Sequence, residues 1–247
     1  MTTSARLRAY WLGRIDYLDA WRLQLAMVEG VQRGELEASL LLLEHPHVFS
    51  LGRGADASNL LWSEERCAAE GVEVVRSDRG GDATYHGPGQ LVGYPIVDLA
   101  LLQLDVWQYV QVLESALIGY LADLGVKAQA GAQGRAGVWS GEAKVAAIGV
   151  KLTHAVTSHG FALNLNCDLD IFNQGIVPCG LVGLRATSVR ELKGTSPDVD
   201  RAAQDLPPHL ARCLGLELEW GRGQELDRLR SSESRTPPRT LDPEPAD

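Results

Sequence analysis

The amino-acid sequence predicts an α+β domain with an antiparallel or mixed sheet, not a doubly wound one. Helical and strand patterns do not alternate one for one along the chain, as a doubly wound fold would require. Instead, several strand-like segments follow the clearest helix in succession. The 247 residues, 45% of them hydrophobic, suffice for one large core or for two small ones.

Three segments have the spacing and the end signals of helices. Asp16 precedes apolar residues at three- and four-residue intervals, and Gly34 would end that helix. Ser63, followed by two glutamates, begins a short second helix. Asp105 caps the third helix, whose long apolar stripe ends at Gly125. We expect the third helix to face the core along that stripe and to take no part in chemistry.

Four apolar segments predict strands. Residues 39–43 are a short, mostly apolar run between polar residues, as in a buried strand, and residues 72–75 also have the pattern of a strand. Residues 143–152 are mostly small and apolar. In residues 161–166 large apolar positions alternate with alanine and asparagine, and this period of two indicates a half-buried strand.

The charge and the hydropathy of the chain exclude two classes of protein. A net charge of −9 and a pI near 5.2 argue against a nucleic-acid-binding protein, which would need a basic surface. No segment reaches the roughly 18 apolar residues of a membrane helix, and residues 1–10 lack the apolar core of a signal peptide. We therefore expect a cytoplasmic protein that binds neither nucleic acid nor membrane.

The composition changes near residue 222. The preceding residues carry the helix and strand patterns, so we expect the folded domain to span residues 1–220. Residues 221–247 are rich in Arg, Ser, Glu and Pro and offer little apolar surface to bury. We expect them to form a disordered tail.

The densest functional signal is the segment RGGDATYHGPGQ at residues 79–90. Five glycine and proline residues in twelve argue against a regular helix or strand, so we expect a loop whose backbone approaches a ligand closely. The segment also supplies arginine, threonine, tyrosine, histidine and glutamine side chains for hydrogen bonds. Binding sites are common on such loops, although a turn-rich connection has the same composition.

Lys144 opens a strand of small residues in the segment AKVAAIGVK. A lysine there lies either at the wet end of the strand or in a partly desolvated position. Desolvation would lower its pKa and free the amine to act as a base. Ala146, Ala147 and Gly149 leave room for a ligand chain against the backbone, or else for close packing of the sheet.

Cys179 lies between a proline and a glycine, a context that predicts a turn and an accessible thiol. The other cysteines fit the role of small buried residues. Cys67 and Cys213 lie in predicted helices, and Cys167 lies at the end of a predicted strand. The sequence has no CxxC pair, so we expect four free thiols.

Metal and phosphate chemistry have little support in the sequence. His45 and His47 bring two imidazoles together, but no second pair of ligands stands at the spacing of a zinc site. The glycines at residues 52–54 are too few for a phosphate loop, and no GxSxG motif suggests a serine hydrolase. We expect no metal and no cofactor.

Three motifs, in this order, resemble the conserved segments of the lipoate-biosynthetic octanoyltransferases. They are RGGDATYHGPGQLVGYP, AKVAAIGVK and NQGIVPCGL, and the match covers roughly residues 40–191. This is the lipoyl(octanoyl) transferase family, within the biotin/lipoate protein ligase superfamily. The resemblance implies one α+β domain with a larger mixed sheet and a smaller sheet flanked by helices.

The resemblance also implies the reaction. The enzyme takes an octanoyl or lipoyl group from acyl carrier protein and forms a thioester on Cys179, assisted by Lys144. It then delivers the acyl group to a lysine of a lipoyl domain, in the E2 subunit of a 2-oxoacid dehydrogenase or in glycine cleavage H protein. We expect a monomer. The substrate-binding residues that the resemblance implies are Arg79, Gly80, Gly81, Asp82, Ala83, Thr84, Tyr85, His86, Ala147, Ile148, Gly149, Gly160, Phe161 and Ala162.

The chemistry of these groups agrees with the scheme. Free cysteine is mostly protonated at neutral pH, so Cys179 needs a partner. Lys144 can stabilise the thiolate as an ammonium or take its proton as an amine, and it can later take the proton of the incoming lysine. Backbone N–H groups near Cys179, or the side chains of Thr84 and His86, are candidates for binding the oxyanion.

Two other functions stay open at this point. An ATP-dependent lipoate–protein ligase of the same superfamily would need no cysteine, and a catalytically silent lipoyl-domain binder would acquire no acyl group. An acidic carrier protein would also need a local basic patch on this acidic chain. Residues that either form such a patch or are scattered over the surface are Arg6, Arg8, Arg14, Arg185, Arg190 and Lys193.

Overall fold

The computed structural model describes residues 5–132, 135–177, 185–222 and 226. Within these residues the strands are β1 (Arg6–Arg14), β2 (Ser39–Glu44), β3 (Val48–Leu51), β4 (Glu73–Arg76), β5 (Ala83–His86), β6 (Gln90–Ile96), β7 (Gln129–Ala130), β8 (Val138–Ser140), β9 (Ala143–Thr153), β10 (Val156–Asn164), β11 (Arg185–Ala186) and β12 (Glu217–Trp220). The helices are α1 (Tyr17–Gln32), α2 (Glu64–Ala69), α3 (Val106–Asp123), α4 (Leu169–Gly175), α5 (Val189–Lys193), α6 (Val199–Asp205) and α7 (Pro207–Leu214).

These strands form one large mixed sheet and one small sheet. The large sheet has the order β12-β1-β2-β6-β10-β9-β8-β7, and β11 also pairs with β9. Strand β1 is parallel to both of its neighbours, whereas β2, β6, β10 and β9 follow one another in antiparallel pairs. The small sheet has the order β4-β3-β5. The predicted α+β class, with a larger and a smaller sheet, is confirmed.

Both faces of the large sheet are covered, which explains why residues 39–43 form an unbroken apolar run. Successive side chains of a strand point to opposite faces. Leu40 and Leu42 pack with helices α3, α6 and α7, while Leu41 and Leu43 pack with α1. Each of the four leucines has no exposed surface, so truncation of any one to alanine would cost about 2–5 kcal/mol.

The helix ends follow the predicted signals with one difference. Asp105 accepts the N–H of Gln108 and completes a capping box, and the side chain of Ser63 accepts the N–H of Arg66. Asp16 occupies the N-cap of α1 but makes no capping hydrogen bond with its side chain. No helix in the described ranges combines the length and the apolar character needed to cross a bilayer.

The prediction of a continuous loop over residues 79–90 is wrong in its middle. Ala83–His86 forms strand β5, antiparallel to β3, and Gln90 begins β6. The physical reason lies in where the helix and strand breakers stand. The glycines and the proline cluster at residues 80–81 and 87–89, and the five residues between them, four of which form β5, have backbone N–H groups available for the sheet.

The apolar stripe of α3 is buried as predicted except for its first residue, Val106. Tyr109, Leu113 and Leu117 are buried, as expected. Val106 is 40% exposed, however, and so is not part of the core.

The basic side chains weighed as a docking patch lie in two separate groups. Arg6, Arg8 and Arg14 lie on β1, whereas Arg185 lies on β11, next to β9. Strands β2, β6 and β10 lie between β1 and β9 in the order of the sheet. The three arginines of β1 are also ion-paired, with Glu37, Glu44 or Glu219. The arginines of β1 and Arg185 therefore do not form a single basic patch.

Candidate active site

A cavity lies between strands β9 and β10 of the large sheet and the segment that leads into β5 of the small sheet. Its enclosed volume is about 60 Å³, and the free space around it is open to solvent. The predicted site residues that line it are Arg79, Gly81, Asp82, Ala83, Thr84, His86, Lys144, Ala147, Ile148, Gly149, Gly160, Phe161 and Ala162. The lining residues that sequence reasoning missed are Tyr17, Tyr94, His159 and Phe172.

Two predicted residues take other positions. The side chain of Tyr85 is buried on the opposite face of β5, where it packs against Phe49 and Phe172 and hydrogen-bonds to His47 at 2.7 Å. Alternation along a strand is the cause, since Thr84 and His86 face the cavity. Gly80 contributes backbone, and its N–H donates to the carbonyl of Val150 on β9 at 3.0 Å.

Glycines let the loop before β5 lie directly on the large sheet. A Cβ added to Gly149 would stand 2.9 Å from the carbonyl oxygen of Gly80, and one added to Gly80 would stand 2.9 Å from that of Val150. Gly81 has a φ of +87°, which side chains disfavour. The contact is therefore backbone to backbone, as the glycine-rich composition predicts.

Arg79 fastens this loop from inside the protein. Its guanidinium is buried and donates to the hydroxyl of Ser50 at 3.1 Å, to the carbonyl of Ser50, and to the carbonyl of Gly80 at 3.1 Å. Asp82 holds the other end of the loop, because its carboxylate accepts the side-chain amide of Asn59 at 2.7 Å and the N–H of Ala83 at 2.6 Å. Both side chains border the cavity while most of their polar atoms bind protein groups.

One end of the cavity is closed by a cluster of buried polar rings, defined by Tyr17, His45, His86, Tyr94 and His159 and hereafter the polar cluster. His45 donates to the carbonyl of Ile15 at 2.7 Å and accepts the Tyr94 hydroxyl at 2.8 Å. Burial lowers the pKa of His45 to about 4. Burial also lowers the pKa of His86 well below its usual value, so both rings are neutral at pH 7.

His159 is fixed in the polar cluster by two hydrogen bonds. Its Nε2–H donates to Asp78 at 2.8 Å, and Lys151 pairs with the other oxygen of that carboxylate. Its backbone has a φ of +55°, and the backbone N–H donates to the side chain of Gln24 on α1 at 2.7 Å. Burial lowers the pKa of His159 although Asp78 opposes the shift, so this ring too is neutral at pH 7.

The same contacts also shift the pKa of Asp78, but they lower it. Burial would raise it, but the hydrogen bonds from His159 and Lys151 and their charges outweigh burial and lower it. The carboxylate therefore stays ionised and holds the His159 ring in one tautomer.

Sequence signals for the polar cluster were weak. Tyr17 and Tyr94 come from α1 and β6, far apart in the chain. Tyr94 stands near the end of the RGGDATYHGPGQLVGYP motif but outside the segment at residues 79–90, and Tyr17 stands in no motif. His159 directly precedes the GFA segment at residues 160–162, and that adjacency is the one local signal that could have found it.

Lys144 lies at the other end of the cavity. The sequence left a wet and a desolvated position open, and the structure gives a buried one, with 6% of the residue exposed. Its Nζ donates to the carbonyl of Ala136 at 3.4 Å and lies 4.9 Å from the ring centroid of Trp139. The ammonium is therefore held over an aromatic face at the mouth of an otherwise largely apolar space.

The chain segment that follows the PCGL motif returns beside Lys144. Ala186 on β11 pairs with Lys144 on β9, and the N–H of Thr187 donates to the Lys144 carbonyl at 2.9 Å. The motif itself lies within residues 178–184, outside the described residues. The predicted role of Cys179 thus stays a prediction.

The three described cysteines are free thiols in unreactive surroundings. Cys67 and Cys167 are buried, and Cys213 is half-buried. Burial raises the pKa of Cys167 to about 12 and also raises that of Cys67. These two thiols are protonated at neutral pH and are poor nucleophiles.

The paired imidazoles considered for zinc do not converge. His45 binds Ile15 and Tyr94, whereas His47 binds Tyr85 on the other side of the chain. In the part of the chain that the structure describes, no group of three or more His, Cys, Asp or Glu side chains is arranged to hold a metal ion.

Comparison with known proteins assigns the class. The chain matches the lipoyl protein ligase A/B catalytic domain over residues 16–211, and it belongs to that family. It is 46% identical to the octanoyltransferase of Solibacter usitatus over 211 residues, which cover 84% of this chain and 92% of the relative. It is 48% identical to the octanoyltransferase of Acidobacterium capsulatum over 224 residues, 85% of this chain and 90% of the relative. The protein is thus an acyltransferase, and the resemblance drawn from the three motifs is confirmed.

Solved structures agree on the fold. A putative lipoate protein ligase from T. acidophilum superposes with a TM-score of 0.71 at 17% identity, over 92% of this chain and 93% of that one. A lipoate-protein ligase A bound with ATP gives 0.69 at 18% identity, with the same coverage. At these identities the likeness establishes the architecture alone.

Proposed function

We propose that the protein transfers an octanoyl or lipoyl group from acyl carrier protein, through a thioester on Cys179, to a lysine of a lipoyl domain. This is the first step of endogenous protein lipoylation. The acceptors are E2 subunits of 2-oxoacid dehydrogenases and glycine cleavage H protein. Residues 1–220 act as the catalytic domain of a cytoplasmic monomer that uses no cofactor. One observation carries the proposal: a largely apolar cavity ends at a buried lysine amine.

The walls of the cavity suit a hydrocarbon chain. Ala147, Ile148, Phe161, Ala162 and Phe172 line it with small or apolar side chains. Burial of a chain methylene against such walls contributes about 0.8 kcal/mol. A medium-length acyl chain is thus bound mainly by apolar contact, and its carbonyl is left near Lys144.

The first step exchanges one thioester for another. The Cys179 thiolate attacks the carbonyl carbon of the acyl thioester, the bond from that carbon to the carrier sulfur breaks, and the carrier thiol leaves with a proton. Lys144 assists by stabilising the thiolate as an ammonium or by taking the thiol proton. The bonds formed and broken are of the same kind, so the step is close to balanced and needs no nucleotide.

The second step forms the amide. The neutral amine of the acceptor lysine attacks the acyl-cysteine, the carbon–sulfur bond breaks, and the amine proton passes by way of Lys144 to the cysteine sulfur. An amide is more stable than a thioester, so this step runs downhill. Of the two side chains considered for the oxyanion, Thr84 is the better placed, because the Nδ1–H of His86 is already donated to Gln90 at 2.8 Å.

The path of the chain supports a partnership between Lys144 and Cys179. Val177 donates its N–H to the carbonyl of Asn59 at 2.8 Å, so the chain is fixed two residues before Cys179. It is fixed again at Arg185, which pairs with Ala143 next to Lys144.

The proposal is tested by incubating the protein with octanoyl carrier protein in the absence of ATP and measuring its intact mass. We expect the mass of one octanoyl group on the wild-type protein and none on Cys179→Ser. A mass shift that persists in Cys179→Ser would show that another residue carries the acyl group. Subsequent addition of a lipoyl domain should move the octanoyl mass to that domain.

The same assay separates the two other functions. A lipoate–protein ligase would depend on ATP and would survive alkylation of its cysteines. A silent lipoyl-domain binder would bind the domain without acquiring acyl mass. The identity to octanoyltransferases, at 46–48%, favours the transferase over the ligase, whose solved representatives are 17–18% identical.

A further inference from the structure

A second depression continues the cavity beyond Lys144. This outer groove is lined by Val106, Trp107 and Val110 of α3, by Arg135 and by Trp139 of β8. It encloses about 1260 Å³ of atom-free space that is widely open to solvent. It shares part of its lining with the inner cavity, at Gly81, Asp82, Lys144, Ile148 and Gly149. The two spaces therefore meet at Lys144.

The position of this junction determines how a bound acyl thioester is oriented. This step rests on the proposed function. An acyl chain that fills the inner cavity places its carbonyl at Lys144. The polar cluster closes the other end of that cavity. The part of the donor beyond the thioester sulfur must therefore run out through the outer groove.

Exposed apolar surface in the groove indicates a partner. Trp107 is 62% exposed and Val106 is 40% exposed, although both lie on the helix with the strongest core stripe of the chain. Neither side chain is needed to cap α3, because Asp105 and Gln108 do so. Large exposed aromatic side chains next to a cavity commonly mark binding surfaces.

Two arginines stand at or beside the groove of this acidic chain. Several arginines elsewhere are paired with carboxylates, as in the pairs that Arg6 and Arg33 form with Glu219 and Glu35. Arg135 lines the groove and Arg53 adjoins its lining residue Gly54. In the described part of the chain, no carboxylate lies within ion-pair distance of either. The rim thus keeps two positive charges that a protein with a net charge of −9 does not cancel.

We propose that the outer groove binds the phosphopantetheine arm of the acyl carrier protein. The apolar surfaces of Trp107 and Val106 contact the arm. Arg53 and Arg135 face its phosphate and the acidic surface of the carrier. This location differs from the basic residues that the sequence left open as a patch or as scattered charge.

The charge of the groove selects the donor over the acceptor as its occupant. The acceptor offers a lysine side chain, which is cationic until it loses a proton. Such a group would approach Arg53, Arg135 and Lys144 against like charges. A phosphodiester, in contrast, gains from each of them, and Arg binds phosphate oxygens with favourable geometry.

The test compares two donors on one enzyme. Octanoyl carrier protein has the phosphate and the acidic protein, whereas the octanoyl thioester of N-acetylcysteamine has neither. We expect the Arg53→Glu/Arg135→Glu double variant to lose at least about tenfold in the ratio of kcat/KM for the carrier donor to kcat/KM for the small donor. For the wild type, KM for the carrier donor should rise with ionic strength, and this dependence should weaken in the variant.

A matched charge reversal serves as the control. Arg212 is an exposed arginine on α7, near the C-terminal end of α3 and away from the groove. Arg212→Glu should leave the donor ratio at the wild-type value. Because the small donor reports the inner cavity and the chemistry, a misfolded variant would lose both activities together and would be recognised by its thermal unfolding curve.

The possible results distinguish failure of the groove assignment from failure of the proposed function. An unchanged ratio in the double variant, an equal fall in Arg212→Glu, or a rise in KM for the lipoyl domain alone would each overturn the assignment of the groove to the donor. A wild-type protein that transfers octanoyl from neither donor would instead contradict the proposed function. Activity of the wild type with both donors, together with a loss specific to the carrier donor, supports both.

Discussion

The two ends of the inner cavity are built in opposite ways. At the closed end, the polar cluster is buried and cross-linked by hydrogen bonds from α1, β6 and β10. At the other end, Lys144 lies among short strands, with β8 and β11 of three and two residues beside it, and next to a solvent-open groove. Lys144 and Lys151 mark these ends on the same strand, about 24 Å apart at ~3.4 Å per residue.

The contrast indicates a division of labour. Most polar groups at the closed end are hydrogen-bonded to surrounding protein groups, so they shape and stabilise the cavity. The Lys144 amine has a weak 3.4 Å contact to a carbonyl and an aromatic neighbour, and it borders both the cavity and the groove. We infer that stability resides at one end and chemistry at the other.

Alanine substitution of the two lysines of β9 should give the largest difference between the two ends of the cavity. Lys144→Ala should slow acylation by about 10²–10³-fold, because a general acid–base group contributes factors of that size. Lys151→Ala should instead keep most of the activity and lose about 1–2 kcal/mol of unfolding free energy, because Asp78 loses a charged partner. Single-turnover acylation and urea unfolding measure the two quantities.

A Lys144→Ala protein with wild-type acylation rates would remove that residue from the mechanism. A Lys151→Ala protein that is as slow as Lys144→Ala would break the proposed division between the two ends.

A smaller effect concerns acid. The pKa values of the buried His45, His86 and His159 lie below the ordinary value near 6.5, so the unfolded chain binds more protons than the folded one as the pH falls. Stability is therefore complete above pH ~6.5 and is lost as the pH falls toward 4, by up to ~1.4 kcal/mol per pH unit for each ring. Urea unfolding at pH 7, 6 and 5 tests the slope.

His45→Gln is the informative variant for the acid effect. The substitution removes one of the three buried rings. The unfolding free energy of the variant should therefore fall less steeply with decreasing pH than that of the wild type, by up to ~1.4 kcal/mol per pH unit. Stability that does not change between pH 6.5 and 5 in the wild type would contradict the neutral state of the cluster. Ionised Asp78 cannot mask the effect, because its lowered pKa places its own loss of stability at lower pH.

The smallest expected effect comes from the remaining thiols. Cys67→Ala, Cys167→Ala and Cys213→Ala should each keep the wild-type acylation rate, since none of them lines the inner cavity or the outer groove. Cys67→Ala and Cys167→Ala should each be less stable than Cys213→Ala, by about 1 kcal/mol, because Cys67 and Cys167 are buried and Cys213 is half-buried. Loss of acylation in any of these variants would show that the substituted cysteine takes part in the reaction, contrary to this prediction.

Local patterns predicted the parts of the fold that are set locally. The caps at Ser63 and Asp105 have counterparts in the structure. The strand predicted in residues 161–166 exists as the end of β10, but it is buried on both faces and not half-buried, because the sheet is covered on both sides. Pairing of β1 with β12, and the packing of α1 against β10, depend on residues far apart in sequence and left no local pattern.

The candidate site shows the same division. Glycine-rich and small-residue segments predicted the walls of the cavity, because close approach of two backbones demands those residue types. Tyr85 was misplaced because a loop does not alternate its side chains and a strand does. Tyr17 and Tyr94 were missed because an aromatic residue in a helix or strand has the same local pattern whether it faces a core or a ligand.

One contact described above also has a consequence for biosynthesis. Gln24 holds the backbone of His159 across 135 residues of chain, so the closed end of the cavity cannot form until α1 and β10 have met. Contacts of such long sequence separation form slowly, since a large loop must close first. During translation the nascent chain therefore has no finished acyl pocket until β10 has left the ribosome, and a fragment that stops before that strand would be unable to sequester a fatty acyl chain.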